Sequence, residues 1–335
     1  MPHRWDPIAP PVLGLVPPVP IDPTGRAGPT RGQSQGPGWR SCAPARFVPA
    51  EVSDALVEQR ILEASARCGE RASVTGWAAL RLLGGGHFDG LAPDGATRLP
   101  VPIAANGGRL RSRPGLLVVR DTMPDGETVL IHGIRCAYAE RALFDEMRRI
   151  GDQREMAIAA DSAFAGQLTS LRRMRRYAAS RRWYRDVRTV TGALEMAVED
   201  SRSPQEGRFR QIWEYDAGWG RPLCNRAVYD LDGRLVAVPD LLDPERGVVG
   251  EYAGADHRDI DQHESDIGRE ADLRRVGLEY VEVVGRDLRA KQRVFARMNE
   301  AEARAGILPR LWVLGPPRSP ALDEILDLRD RRRVE

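Results

Sequence analysis

Residues 237–257 read AVPDLLDPERGVVGEYAGADH. Two apolar strands flank the polar turn Asp243-Pro-Glu-Arg-Gly247, and each strand carries one acid, Asp240 or Glu251. The midpoint between these acids coincides with the centre of the turn, so a symmetric hairpin would place them opposite each other, about 5 Å apart at Cβ. Two carboxylates that close repel and are costly to desolvate unless a cation lies between them. A divalent metal, Mg²⁺ or Mn²⁺, is the simplest such cation.

The sequence around this hairpin predicts a mixed α/β domain. Ser203-Pro-Gln-Glu206 is a capping box with proline at the first helical position, which predicts a helix over 204–217. Asp232-Gly233 is typical of a tight hairpin turn, and Gly277 of a helix end. The predicted order is α-β-β-β-α-β-α, with strands at 224–231, 235–242, 248–253 and 278–284 and later helices at 259–276 and 287–305.

Each of these acids also has a purely structural interpretation. Asp240 would cap the turn, and Glu251 would pair with an arginine such as Arg269. The position of Glu206 in the capping box explains this residue without catalysis. At the level of sequence these interpretations stay open beside the metal hypothesis.

The chain has 335 residues, enough for about two domains, and its 42% apolar and 29% charged content is typical of a globular protein. A net charge of +2 gives no argument for nucleic acid. Lys291 is the single lysine, and every other cation is an arginine. This bias suits phosphate recognition, or it reflects a GC-rich genome.

The spacing of the cysteines and the apolar stretch near the N-terminus predict the cellular compartment of the protein and its association with membranes. The four cysteines are far apart and form no C-x-x-C pair, which predicts neither a zinc site nor a disulfide framework. Free thiols in a reducing cytoplasm are therefore expected. The apolar stretch Val12–Val16 is short and runs into two prolines, so it predicts neither a signal peptide nor a membrane span.

The N-terminal part divides into two segments. Residues 1–40 are rich in proline and glycine and are predicted to be disordered. Residues 41–200 are predicted to form a mixed α+β domain, and 307–335 a C-terminal tail. The predicted elements of the N-terminal part are a strand or small hairpin at 39–48, strands at 99–105, 116–119 and 128–131, and helices at 51–67, 75–83, 138–150, 154–164 and 168–182. The last helix is very basic and either meets phosphates or is a solvated face.

The order of elements, with Pro-Asp on the second strand and an acid on the third, resembles the PD-(D/E)XK nuclease superfamily. It is similar in detail to the branch of endonuclease-like domains related to the very-short-patch-repair endonuclease. The resemblance implies a restriction-endonuclease-like αβββαβ core over 203–306. Its motifs are Ser203-Pro-Gln-Glu206, Pro239-Asp240, Glu251-Tyr-Ala-Gly-Ala-Asp-His257, Asp266-Ile-Gly-Arg269 and Leu273-Arg-Arg-Val-Gly277.

This resemblance implies metal-dependent hydrolysis of DNA phosphodiester bonds. Asp240 and Glu251 would hold the metal, Glu206 would assist as a further or outer ligand, and His257 would shuttle a proton or contact the phosphate. DNA is the expected partner. The residues expected to contact its backbone are Arg258, Arg269, Arg274 and Arg275.

One departure from the family pattern bears on activity. Where the superfamily has a lysine and this branch an aspartate, the chain has Ala253. Either Asp240 and Glu251 alone hold a metal, with His257 or Asp256 assisting the water, or another group fills the gap, or hydrolysis is lost and DNA binding kept. The competing classes are thus a DNA-binding regulator without cleavage and a protein–protein scaffold.

The N-terminal part is similar to the AbiEi-type antitoxins of type IV toxin–antitoxin systems, which carry a winged-helix DNA-binding region. The motifs behind this resemblance are Arg46-Phe-Val-Pro49, Val74-Thr-Gly-Trp-Ala-Ala-Leu80, and Gly133 leading into Glu140-Arg-Ala-Leu143. It implies that residues 41–200 form an antitoxin-like domain.

Overall fold

A computed structural model describes residues 6–10, 12–69, 71–254 and 270–334. The chain forms two compact units, Met1–Met196 (unit 1) and Ala197–Glu335 (unit 2). Each unit combines helices with β-sheet, which confirms the predicted mixed α/β class. Each unit is described by itself.

Unit 1 contains a five-stranded mixed sheet of order β5-β4-β3-β7-β6 and a separate β1-β2 hairpin. Within the sheet, β3/β7 and β4/β5 run parallel and the other pairs antiparallel. The helix α6 was not expected from the sequence. The elements are β1 Trp39–Ala43, β2 Arg46–Pro49, α1 Val57–Ser65, β3 Ser73–Val74, α2 Gly76–Leu82, β4 Val101–Ala104, β5 Leu116–Val119, β6 Thr128–Ile131, β7 Ile134–Ala137, α3 Ala139–Ile150, α4 Gln153–Ala165, α5 Leu171–Ser180 and α6 Val187–Met196.

Residues 6–10 and 12–40, for which the composition predicts disorder, are tied to the rest of unit 1. Val19 and Phe47 exchange two backbone hydrogen bonds, at 2.9 and 2.8 Å. The carboxylate of Asp22 accepts hydrogen bonds from three backbone N–H groups of its own loop. Composition misses this order because it comes from hydrogen bonds to neighbouring elements and within loops rather than from an apolar core.

Unit 2 contains two sheets. A mixed four-stranded sheet has the order β13-β12-β11-β8, with β12 and β13 parallel, and a three-stranded antiparallel sheet has the order β10-β9-β14. A π-helical turn, Ile212–Asp216, continues α7. The elements are α7 Pro204–Gln211, β8 Leu223–Cys224, β9 Val228–Asp230, β10 Leu235–Ala237, β11 Leu241–Asp243, β12 Val248–Ala253, α8 270–276, β13 Glu279–Val284, α9 Lys291–Ala305, β14 Trp312–Leu314 and α10 Leu322–Val334.

Two predicted strands are each divided between these sheets, so those predictions were wrong in extent. The segment 224–231 contains the end of β8 and all of β9, and 235–242 contains β10 and most of β11. The second break falls at Pro239, which has no N–H to give to a ladder. The interruption separates Asp240 from the apolar run that precedes it.

The segment 307–335, expected to be a tail, takes part in unit 2. Its strand β14 pairs with β9, and Trp312, Leu322 and Leu326 are buried. Gly277, at φ +91°, ends α8 as predicted, and a Cβ there would lie 1.9 Å from the carbonyl oxygen of Pro309. The beginning of this helix, predicted at 259, falls outside the described residues.

The four-stranded sheet has apolar side chains on both faces. On one face lie α7 and α9, which contribute Phe209, Trp213, Val294 and Met298. On the other lies α8, whose Leu273 packs in a second buried cluster with Val249 of β12. Burial on both faces holds β12 and β11 in a fixed register where the candidate acids lie.

Candidate active site

The predicted register of the central hairpin is confirmed. The ladder pairs Leu241 of β11 with Gly250 of β12, so Asp240 and Glu251 are the next positions along it. The backbone N–H of Tyr252 donates a hydrogen bond to Oδ2 of Asp240 at 2.8 Å. The carboxylate of Asp240 therefore lies against the backbone of β12, directly beside Glu251.

The turn itself is capped by another residue. The carboxylate oxygen Oδ1 of Asp243 accepts hydrogen bonds from the backbone N–H groups of Glu245 and Arg246, both at 3.0 Å. The interpretation of Asp240 as the turn cap is therefore wrong. Within the part of unit 2 that the structure describes, Asp240 also forms no ion pair with an arginine.

A glycine allows α7 to lie close to β12. A Cβ at Gly250 would be 2.7 Å from the ring of Phe209 and 3.0 Å from that of Trp213. These two rings, fully buried, meet edge to face at a centroid distance of 5.8 Å. The close approach brings Glu206, in the first turn of α7, to the end of the hairpin.

Glu206 has two roles in the structure. Oγ of Ser203 accepts a hydrogen bond from the backbone N–H of Glu206 at 3.2 Å, as a capping box requires. The carboxylate turns back to accept from the N–H of Arg202 at 2.9 Å and from Nδ2 of Asn225 at 3.0 Å. Glu206 is thus buried and held, with its charge directed toward the hairpin.

Asn225 connects Glu206 to Asp240 and was missed by sequence reasoning. Its backbone N–H donates to the carbonyl oxygen of Asp240 at 3.1 Å, and its side chain donates to Glu206 and to the carbonyl oxygen of Asp200. Its φ of +47° is in the left-handed region that asparagine tolerates better than most residues. An asparagine inside a predicted strand was the only signal available.

The pKa of Asp240 reflects its burial and the charges of Glu206 and Glu251. Burial, together with the negative charges of Glu206 and Glu251, raises the pKa of Asp240 to about 8. The N–H of Tyr252 and the charge of Arg202 oppose this shift. A cation would stabilise a half-buried carboxylate that is subject to the negative charges of two other carboxylates.

The other predicted site residues have different outcomes. His257, Arg258 and Arg269 lie within 255–269, outside the described residues. The arginines of α8 contact acids: Arg274 pairs with Glu270 at 2.8 Å and with Glu279 at 3.2 Å, and Arg275 pairs with Asp272 at 3.2 Å.

The face of β12 next to the acids has a gap at Ala253. Strand alternation places Ala253 on the same face as Glu251, while Tyr252 packs on the opposite face with the cluster of α7 and α9. Lys291 does not fill the gap, because its Nζ pairs with Asp216 at 2.8 Å.

The donor set consists of carboxylate oxygens, which suit a hard divalent cation. Among residues 6–10, 12–69, 71–254 and 270–334, no three His, Cys, Asp or Glu side chains are grouped closely enough to hold a metal ion by themselves. Asp240 and Glu251 would therefore share an ion with water molecules, which Mg²⁺ commonly retains.

Comparison with known proteins adds no relative. No protein-family model, curated protein or solved structure matches this chain. Among the helices that the structure describes, none is both long and apolar enough to cross a membrane.

Proposed function

We propose that unit 2 is an endonuclease-like domain of the PD-(D/E)XK type that hydrolyses DNA phosphodiester bonds with a divalent metal. The observation that carries this proposal is the pairing of Leu241 with Gly250, which makes Asp240 and Glu251 neighbours across the hairpin, with Glu206 joined to Asp240 through Asn225. Three acids at the end of an apolar hairpin destabilise the fold unless something compensates their charge. Clusters of this kind are typical of functional sites.

Each acid has a role in this proposal. Asp240 and Glu251 would hold Mg²⁺ or Mn²⁺, which when bound would lower the pKa of a water molecule and neutralise charge on the phosphate. The N–H of Tyr252 fixes Oδ2 of Asp240. Glu206, held by Asn225, would orient a water molecule beside the other two carboxylates.

One arginine places positive charge near these acids. Arg202 lowers the pKa of Asp240 against the larger effect of burial. A guanidinium group suits the phosphate groups of a DNA strand. DNA is therefore the substrate class that we propose.

A second function is favoured by Ala253. The side chain at this position has no group that binds a metal or orients water, and β12 places it on the face of Glu251. The alternative is a nuclease-fold DNA-binding regulator, antitoxin-like, that binds DNA without cutting it.

Nicking of supercoiled plasmid separates the two functions. We expect the wild-type chain to nick in Mg²⁺ and not in EDTA, and Asp240→Asn and Glu251→Gln to abolish nicking. The matched control is Asp232→Asn, which changes an exposed acid in the turn between β9 and β10 and should nick like the wild type. Metal-independent nicking, or nicking that survives both substitutions, would contradict the endonuclease.

Substitution of Ala253 tests the alternative. In one outcome the wild type retards DNA in a gel without cutting it, and Ala253→Asp or Ala253→Lys gains Mg²⁺-dependent nicking. The domain would then be a DNA-binding protein that keeps two metal ligands of a nuclease site. If no variant cuts and none shifts DNA, both proposed functions are wrong.

A further inference from the structure

The turn between α5 and α6 in unit 1 presents a tryptophan to solvent. Trp183 is 96% exposed. An isolated tryptophan with almost its whole surface in water is unusual, because the ring carries a large apolar area that is normally buried. Its neighbours Arg182 and Arg185 are exposed as well.

The residues around Trp183 hold this turn in place. The ring of Tyr184 packs edge to face on Phe144 at a centroid distance of 5.7 Å. The guanidinium of Arg148 lies 5.4 Å from the Tyr184 ring, and its Nε donates to the carbonyl oxygen of Arg185 at 3.0 Å.

A second set of contacts anchors the start of the turn. Arg181 forms an ion pair with the buried Glu127, and its guanidinium stacks 4.6 Å from the ring of Tyr177. Arg181 and Tyr184 therefore contact the body of unit 1, while Trp183 between them extends outward. The exposure of this indole is a consequence of packing on both sides of it.

The same segment concentrates positive charge. Residues 171–188 contain eight arginines and a single acid, Asp186, in a chain whose net charge is only +2. Some of these arginines contact carboxylates: Arg175 pairs with Glu195, Arg181 with Glu127 and Arg185 with Asp186. Arg176 and Arg182 are both exposed.

We propose that this surface, Arg176, Arg182 and Trp183, binds single-stranded or unpaired nucleic acid. The guanidinium groups would contact phosphates, and the indole would stack on a base. Unpaired strands are favoured over duplex because stacking on a side chain requires a base face that duplex stacking covers. This surface lies in unit 1 and needs no metal, so it goes beyond the function proposed for unit 2.

Binding of the full-length chain to a fluorescein-labelled oligothymidylate of about 16 nucleotides, measured by anisotropy in EDTA, tests this surface. We expect Trp183→Ala to weaken binding about tenfold and Trp183→Phe, which keeps a stacking ring, to restore most of it. Arg176→Ala together with Arg182→Ala should weaken binding and reduce the slope of log K against log salt by about 2.

The controls separate this surface from general charge and from the acids of unit 2. Arg31→Ala removes an exposed arginine elsewhere in unit 1 and should leave the Trp183-dependent part of binding unchanged. Asp232→Asn changes an exposed acid of unit 2 outside the proposed active site and should bind like the wild type. The same oligonucleotide annealed to its complement should respond less to Trp183→Ala.

Three results would overturn the proposal. They are no binding by the wild type, wild-type affinity in Trp183→Ala, or an effect of Trp183→Ala on vesicles of anionic lipid instead of on the oligonucleotide. The last result would assign the surface to a membrane.

Discussion

The side-chain amide of Asn225 donates to Oε2 of Glu206 at 3.0 Å, and the backbone N–H of the same asparagine donates to the carbonyl oxygen of Asp240 at 3.1 Å. One residue thus fixes a carboxylate on α7 and the strand that carries the second acid. A buried carboxylate that loses a donor is free to turn and is less available as a charge at a defined place.

Substitution of Asn225 should therefore lower activity without unfolding unit 2. We expect Asn225→Ala to reduce Mg²⁺-dependent nicking about 10- to 100-fold, as is usual for partners that orient metal ligands. Alanine at φ +47° also costs roughly 1–2 kcal/mol. Asn225→Gly removes the amide without this strain, so the two variants should lose similar activity but differ in melting temperature. Wild-type nicking by the glycine variant would contradict a positioning role.

The raised pKa of Asp240 predicts a pH-dependent stability of the metal-free protein. In the folded state this pKa is about 8, above the value of 3.8 that an unperturbed aspartate has. Between these pH values the folded state binds the proton more tightly, so the free energy of unfolding falls as pH rises from about 4 to about 8.

The amide of Asp240→Asn does not titrate, so this variant should lose that pH dependence and be more stable than the wild type at about pH 8 in EDTA. Urea unfolding across this range measures the effect. Asp232→Asn is the control and should follow the wild type. Parallel pH profiles for wild type and Asp240→Asn would show that Asp240 is an ordinary exposed acid.

Divalent ions should stabilise the wild type and neither Asp240→Asn nor Glu251→Gln. A ligand that binds only the folded state at about 100 times its dissociation constant adds about 2.7 kcal/mol. Because the proton and the metal compete for Asp240, the rise in melting temperature with Mn²⁺ should grow between about pH 6 and pH 8. We expect the rise to disappear in Asp240→Asn and in Glu251→Gln, and an equal rise in all three proteins would place the ion elsewhere.

The contact of α7 with β12 predicts intolerance of a side chain at Gly250. A Cβ there lies inside the contact distance of the Phe209 and Trp213 rings, so Gly250→Ala should destabilise the protein by about 1–3 kcal/mol. Gly126→Ala is the control, because nothing lies within 4 Å of the added atom. Combining Gly250→Ala with Phe209→Leu should cost less than the sum of the single substitutions, whereas simple additivity would exclude the contact.

Arg141 should be essential for the stability of unit 1. It is fully buried, and its guanidinium pairs with Glu127 and with Asp145, both at 3.0 Å. Arg141→Met leaves two buried acids without this partner and should cost about 3–5 kcal/mol. Calorimetry of the full-length chain measures the loss, with the exposed Arg111→Met as control. A loss no larger than that of the control would mean that the buried pairs contribute little.

Near Arg141, the side chain of Thr75 makes a long-range contact instead of capping its own helix. Thr75 is at the N-cap position of α2, where a threonine side chain commonly accepts a hydrogen bond from the first turn, but its Oγ1 donates to Asp145 at 2.7 Å instead. The helix predicted at 75–83 is observed at Gly76–Leu82. The partner of the hydroxyl, Asp145 of α3, is 70 residues away in the chain.

Patterns over a few residues determined much of this protein. Apolar periodicity predicted most helices, Ser203 and Gly277 marked helix ends, and the spacing across the turn 243–247 predicted the register of β11 on β12. These features follow from short-range sterics and local hydrogen bonds, which neighbouring residues decide.

The tertiary structure decided what those patterns do together. It divided the predicted strand 235–242 between two sheets at Pro239, brought Asn225 and Glu206 to Asp240, and paired β14 with β9. It also packed Tyr184 inward and left Trp183 in solvent. Each of these outcomes depends on which distant segments exclude water from one another, and that choice is made by the whole chain when it folds.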